Sequence, residues 1–150
     1  MPKIIVDASS KRAPIREDQA QLLAKLIRLL EEAAQQGRSE ALDDDWFYQL
    51  PEYALFAQGA SALGFVCRDF SSDGIDLDAI ANRPEELADV SLPRLRRYVH
   101  ALMRNERHNF PNASFVLAAI RGGALAMVAR RLESDDRLRA SIEIDDDLTD

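Results

Sequence analysis

Between residues 15 and 36, Leu22, Leu23, Leu26, Ile27, Leu29, Leu30 and Ala33 recur at intervals of three and four residues. That period places them along one side of an α-helix of about six turns, an apolar stripe that other elements have to cover. Glu17 and Asp18 stand in its first turn, where carboxylates meet the positive end of the helix dipole. Gly37 can take the left-handed conformation that ends such a helix. The preceding residues, through Lys11-Arg12-Ala13-Pro14, read as an N-terminal arm.

The rest of the chain repeats the helical pattern in shorter pieces. Asp43-Asp44-Asp45 before Trp46-Phe47-Tyr48 reads as a solvated turn leading into aromatic core anchors. Pro51 suits the first position of a helix, since its missing N–H has no partner to lose there. Tyr53, Leu55, Phe56 and Leu63 carry that helix onward to Leu63. Residues 64–70 form a short apolar run that favours extended chain, as a connector or one short strand. Ser71-Ser72-Asp73-Gly74 is a turn, and 75–82 and 84–90 are two short helical pieces. Ser91 is a good N-cap for a helix reaching His108, with Leu92, Leu95, Tyr98, Val99, Leu102 and Met103 on its buried face. Asn109-Phe110-Pro111-Asn112 breaks it. Asn112 or Ser114 caps a further helix through Phe115, Val116, Leu117 and Ile120, Gly122-Gly123 bends or ends that one, and 125–132 is the last.

The expected fold is therefore all-α: a compact single domain of five to seven helices over residues 15–132, with a short extended connector near Phe65. An arm at 1–14 precedes it and an acidic tail at 133–150 follows. Asp145, Asp146 and Asp147 repel one another and favour disorder in that tail, with a strand at 140–144 as the alternative.

A chain of 150 residues that is 47% hydrophobic and 30% charged can bury a core without disulfides or metals. Cys67 is the single cysteine, so an internal disulfide and a cysteine-rich metal site are excluded. Next to Gly64-Phe65-Val66 it reads as a buried structural thiol, with a nucleophile as the alternative. The apolar run at the N-terminus is too short for a signal peptide. The least polar stretch, 113–129, is interrupted by Arg121 and the glycine pair. No membrane partner is expected, and the expected compartment is the cytoplasm.

Net charge is −7, but the charges are sorted. Residues 41–90 carry 11 acidic and 2 basic side chains, residues 91–132 carry 8 basic and 1 acidic, and residues 133–150 carry 8 acidic and 2 basic. Sorting on this scale steers association rather than folding.

From Trp46 to Leu132 the order of features resembles the DUF6508 family, a bacterial family of unknown function. The resemblance rests on the aromatic acidic lead-in, the hinge Leu63-Gly64-Phe65-Val66 with Asp69-Phe70, and Pro84-Glu85-Glu86-Leu87-Ala88-Asp89-Val90. It continues with Leu92-Pro-Arg-Leu-Arg-Arg-Tyr-Val-His-Ala-Leu-Met-Arg-Asn-Glu-Arg, then Ala118-Ala119-Ile120-Arg121-Gly122 and Ala129-Arg130-Arg131-Leu132. Arg104, Glu106 and Arg107 occupy the family's Arg–acid–Arg positions. His108-Asn109-Phe110-Pro111-Asn112 departs from the family's connector. The resemblance implies the helical fold and no chemistry.

Signatures for phosphate loops, dinucleotide binding, zinc proteases and serine hydrolases are absent. Asp73-Gly74-Ile75-Asp76-Leu77-Asp78 lacks the ligand order and closing glutamate of a calcium loop. His100, Arg104 and His108, spaced by four, share a helical face with Arg97 and Arg107 beside it. With Arg94 and Arg131 they are the candidate anion-binding residues, because the planar arginine fork matches phosphate and carboxylate. The plainer reading is a solvated face, or one paired with the acidic block or tail. The two histidines lie about 12 Å apart along the axis, a poor metal spacing, so neither metal nor cofactor is expected. Trp46, Phe47, Tyr48, Tyr53 and Phe56 read as core packing. Exposed, Asp43, Asp44, Asp45, Trp46 and Tyr48 would make a partner-binding hot spot.

The leading expectation is a non-catalytic macromolecular interaction module with an acidic surface, an adaptor or inhibitor, with DNA mimicry as one sub-case. Its partner would be another protein, and self-association is a further option. One alternative is nucleic-acid or anion binding through the arginine-rich helices of 91–132. Another is a small enzyme built on Arg104, Glu106, His100 and His108.

Overall fold

A computed structural model of the chain describes residues 17–36, 44–66, 75–109 and 114–134. These form seven α-helices and one 3-10 turn, with no strand among the described residues. The arm, the tail beyond Ser134, Asp43 and Cys67 lie outside them.

Helix α1 (Glu17–Gln35) is the predicted amphipathic helix, and it packs against α7 (Ala124–Ser134) and α3 (Pro51–Ala62). Ala20, Leu23, Ala24, Ile27 and Leu30 are its buried positions. The core stripe is thus narrower than the leucine run predicts. Leu22 and Leu29 lie on its flank, 38% and 40% exposed, because the two packing partners do not reach around that side.

Helix α2 (Asp45–Tyr48) is a single turn that buries Phe47. Pro51 opens α3 at the position its ring favours, and Phe56 and Ala60 face the core. The end of α3 is set by Gly64, whose φ of +91° only glycine adopts without strain. The Gly64 amide donates to Ser61 O at 3.1 Å and the Phe65 amide to Ala60 O at 2.8 Å, the paired bonds of a Schellman cap. Residues 64–66 therefore wrap back onto α3, with no strand in the described part of the 64–70 run, and Phe65 drops fully into the core.

Helix α4 (Leu77–Asn82) is capped by Asp76, whose carboxylate accepts the Ala79 amide at 3.0 Å. The piece expected at 84–90 is only the 3-10 turn Pro84–Leu87, which buries Leu87 against α7. Helix α5 (Leu92–Asn109) starts at Ser91, as its capping hydroxyl predicts: Ser91 Oγ accepts from the Arg94 amide at 3.3 Å. Of the two predicted caps, Ser114 is the N-cap of α6 (Phe115–Gly122), and Asn112 lies outside the described residues. Gly123, at φ +94°, turns the chain directly into α7.

One hydrophobic core runs through all of this, from Leu23, Ile27 and Leu30 across Phe47, Phe56 and Phe65 to Leu95, Val99, Val116, Leu125 and Val128. No helix among the described residues is long and apolar enough to cross a membrane.

Candidate functional site

The densest polar cluster forms where α5 ends and α6 begins. Leu95, Val99 and Leu102 continue by one more helical step to Glu106, so the carboxylate lies on the buried stripe of α5 and is 2% exposed. Four donors converge on it. Tyr53 OH and Ser114 Oγ donate to Oε2 at 2.9 and 2.7 Å, and the Phe115 and Val116 amides donate to Oε1 at 2.6 and 3.3 Å. Those amides are the unpaired N–H groups of the first turn of α6, so Glu106 completes the cap that Ser114 begins by accepting the Leu117 amide at 3.0 Å. Asp44 supports the same point from α2, its Oδ2 accepting the Ser114 amide at 2.8 Å.

Two tyrosines feel this cluster. Burial, then the charges of Glu106 and Asp44, push the Tyr48 phenol up to about 12. Burial, the Glu106 charge and the bond to its carboxylate push the Tyr53 phenol up further. Both remain protonated and act only as donors or packing groups. Edge-on contacts of Phe47 with Trp46, Tyr48 and Tyr53, at 5.2–6.4 Å between centroids, lock the rings together.

The sequence-predicted partner residues therefore divide. Asp45 is exposed, Trp46 and Tyr48 are half-buried in this packing, and Asp44 spends its carboxylate on Ser114. Asp43 lies outside the described residues.

The predicted anion-binding set divides as well. Arg94, Arg104, Arg107 and His108 are exposed and Arg97 is half-buried, all on α5. His100 is buried at 4% exposure, and burial followed by the charges of Arg104 and Arg107 lowers its pKa, which keeps it neutral. Arg131 faces inward and donates to Leu87 O at 2.8 Å, holding the 3-10 turn against α7. The structure brings His100, Arg104 and Arg107 within reach of one another's charges. It does not bring Glu106 to them, because that carboxylate is turned into the α6 cap. The enzyme alternative, which needs all of these side chains around one pocket, finds no such convergence. Among the described residues no group of three His, Cys, Asp or Glu side chains is placed to hold a metal.

Arg96 and Glu106 are structural residues that the charge pattern disguised. Arg96 is fully buried and donates to Gly64 O at 2.7 Å, bracing the cap of α3. The signal for Glu106 was its four-residue step from Leu102. Arg96 carried the same signal, four residues after Leu92 and three before Val99, beneath the charge of its neighbours at 94 and 97.

The α1–α3 side offers a different surface. Gln19 of α1 lies near Leu63 at the end of α3, so the helices run antiparallel. They approach closely at Gly59, where an added Cβ would clash with Leu26 Cδ1. Leu26 thus lies over Gly59, with Leu22 and Leu29 one turn to either side along α1 and Leu55, 51% exposed, one turn before Gly59 on α3. These are the exposed large hydrophobic residues of the described chain.

No protein-family model, curated protein or solved structure matches this chain.

Proposed function

We propose that the chain is a non-catalytic interaction module that docks an amphipathic helix of another protein on its α1–α3 face. The observation that supports this is the gathering of Leu22, Leu29 and Leu55 around Leu26 at one helix crossing. Single exposed leucines are ordinary on protein surfaces, whereas several on one face mark a contact site. From Leu22 to Leu29 the strip is two helical turns long, about 10 Å, and one helix pair wide. That is the footprint of apolar anchors at i, i+3, i+4 and i+7 on a partner helix. It is too small for the permanent interface of a dimer. The reading places the protein in the cytoplasm. It takes the resemblance of residues 46–132 to the DUF6508 family as a shared scaffold without chemistry.

A second reading is favoured by the α5 face. Arg104 and Arg107 are exposed, form no ion pair among the described residues, and add their charge to the burial that lowers the His100 pKa. They are free to bind a phosphate-bearing partner.

Affinity capture from the cells that make the protein separates the two, using the unaltered chain, a Leu22→Ser/Leu29→Ser/Leu55→Ser form and an Arg104→Gln/Arg107→Gln form. Each captured protein is then titrated in purified form against all three. The proposal expects micromolar binding that drops at least tenfold in the serine form and holds in the glutamine form. The opposite pattern, with labelled DNA or RNA bound in a steeply salt-dependent way, would establish the second reading instead.

A further inference from the structure

A cavity of about 170 Å³ lies between α4, α5 and α6, partly open to solvent. Leu77, Ala81, Leu102, Phe115, Ala118 and Ala119 give it apolar walls. Its size is close to the roughly 150 Å³ of an apolar cavity that takes up benzene, so it suits a ring with a short substituent.

Two polar groups make it more than a packing gap. Tyr98 lines the cavity and is only 2% exposed, yet its hydroxyl takes no hydrogen bond among the described residues. Burial raises its pKa, so it remains a protonated donor. The hydroxyl is not among the fully enclosed unpaired polar atoms, so it meets the open space of the cavity, where a ligand's polar atom can take the place of water. The other group is the exposed Asp78 at the rim. Ser114, also in the wall, is already committed: it donates to Glu106 and accepts from the Leu117 amide. Asp73, Asp76, Glu85, Glu86 and Asp89 flank Asp78 in sequence against the single base Arg83, a setting that on balance repels anions and attracts cations.

We infer that this cavity is a binding site for a small monocyclic molecule of about six to ten non-hydrogen atoms, with a polar atom bonded to Tyr98 OH and a cationic end held at Asp78. The site is separate from the α1–α3 leucine strip and does not depend on it.

The test uses the full chain labelled with nitrogen-15, titrated with tyramine, benzyl alcohol and phenylacetate while amide shifts are recorded. Tyramine, whose phenol oxygen reaches Tyr98 OH and whose ammonium reaches Asp78, should saturate with a dissociation constant of roughly 10 µM to 1 mM, in keeping with so few atoms. The largest shifts should fall on Leu77, Ala81, Leu102, Phe115 and Ala118. Benzyl alcohol should bind more weakly, and phenylacetate at least fivefold more weakly than the amine. Tyr98→Phe, which keeps the shape, should weaken the amine about fivefold, and Asp78→Asn should abolish the preference over phenylacetate. Ala118→Phe should block the cavity from an exposed position. If that variant does not fold, the Tyr98→Phe and Asp78→Asn titrations still decide. Absence of saturable binding, equal affinity for amine and carboxylate, or affinity unchanged in Tyr98→Phe would each overturn the inference.

Discussion

On the α1–α3 face three leucines are 38–51% exposed, while at the α5–α6 junction a carboxylate is as deeply buried as Leu87, Leu102 and Leu117 of the core. The two regions reverse the usual sorting of side chains for different reasons. Glu106 is inside because four donors, two of them otherwise unpaired helix N–H groups, need an acceptor there. Leu22, Leu29 and Leu55 keep 38–51% of their surface exposed, outside the core cluster of the described residues. A buried polar group that is fully hydrogen-bonded explains itself as structure. Exposed apolar side chains gathered at one crossing point outward, to a partner.

The contrast is sharpest in stability. Glu106→Ala strands the Tyr53 and Ser114 hydroxyls and two amides, and should cost about 3–5 kcal/mol in urea unfolding. A loss below about 1 kcal/mol would mean the cluster is not the structural element described. Arg96→Met should cost about 2–3 kcal/mol by leaving the Gly64 carbonyl without that donor.

A pH titration probes the same interior. The folded pKa of His100 is depressed, so below the ordinary histidine value of about 6.5 the unfolded chain takes up a proton that the folded chain refuses. Stability should therefore fall as pH drops from about 6.5 towards the lower folded pKa, and His100→Asn should flatten that part of the slope. An unchanged slope would show that His100 is not held neutral.

At the surface the effects shrink. Arg28 and Glu133 join α1 to α7 through two 3.0 Å bonds, which lower the Glu133 pKa, so the pair contributes at neutral pH and is lost as acid protonates the carboxylate. Both side chains are substantially exposed and screened, so Glu133→Ala should cost no more than about 1 kcal/mol. The smallest effect is expected from the leucine strip itself. Each leucine-to-serine change should move stability by about 0.5 kcal/mol or less while partner binding is lost. A large loss of stability would mean the strip belongs to the core.

Periodicity made the helices legible. The runs around Leu23 and Leu95, the proline at 51 and the caps at Ser91 and Ser114 each state a local rule that the fold obeys. What sequence spacing could not give was which flank of a stripe stays uncovered, since that depends on where α3 and α7 cross α1. Charge alone did not separate Arg96 and Arg131, drawn inward to backbone carbonyls, from Arg94 and Arg104 on the outside, although Arg96, four residues after Leu92, and Arg131, three after Val128, stand in the register of buried residues. An arginine's charge reads the same in sequence whether its fork meets solvent or a helix cap. The tyrosine cavity was likewise invisible, being assembled from three helices.

The most direct measurement places a photo-activated cross-linking residue at position 29, at position 55 or at position 104 of the full chain in its own cells. The account predicts an adduct with the same second protein from positions 29 and 55 and none from position 104. An adduct from position 104 alone, or none from either leucine position, would contradict it.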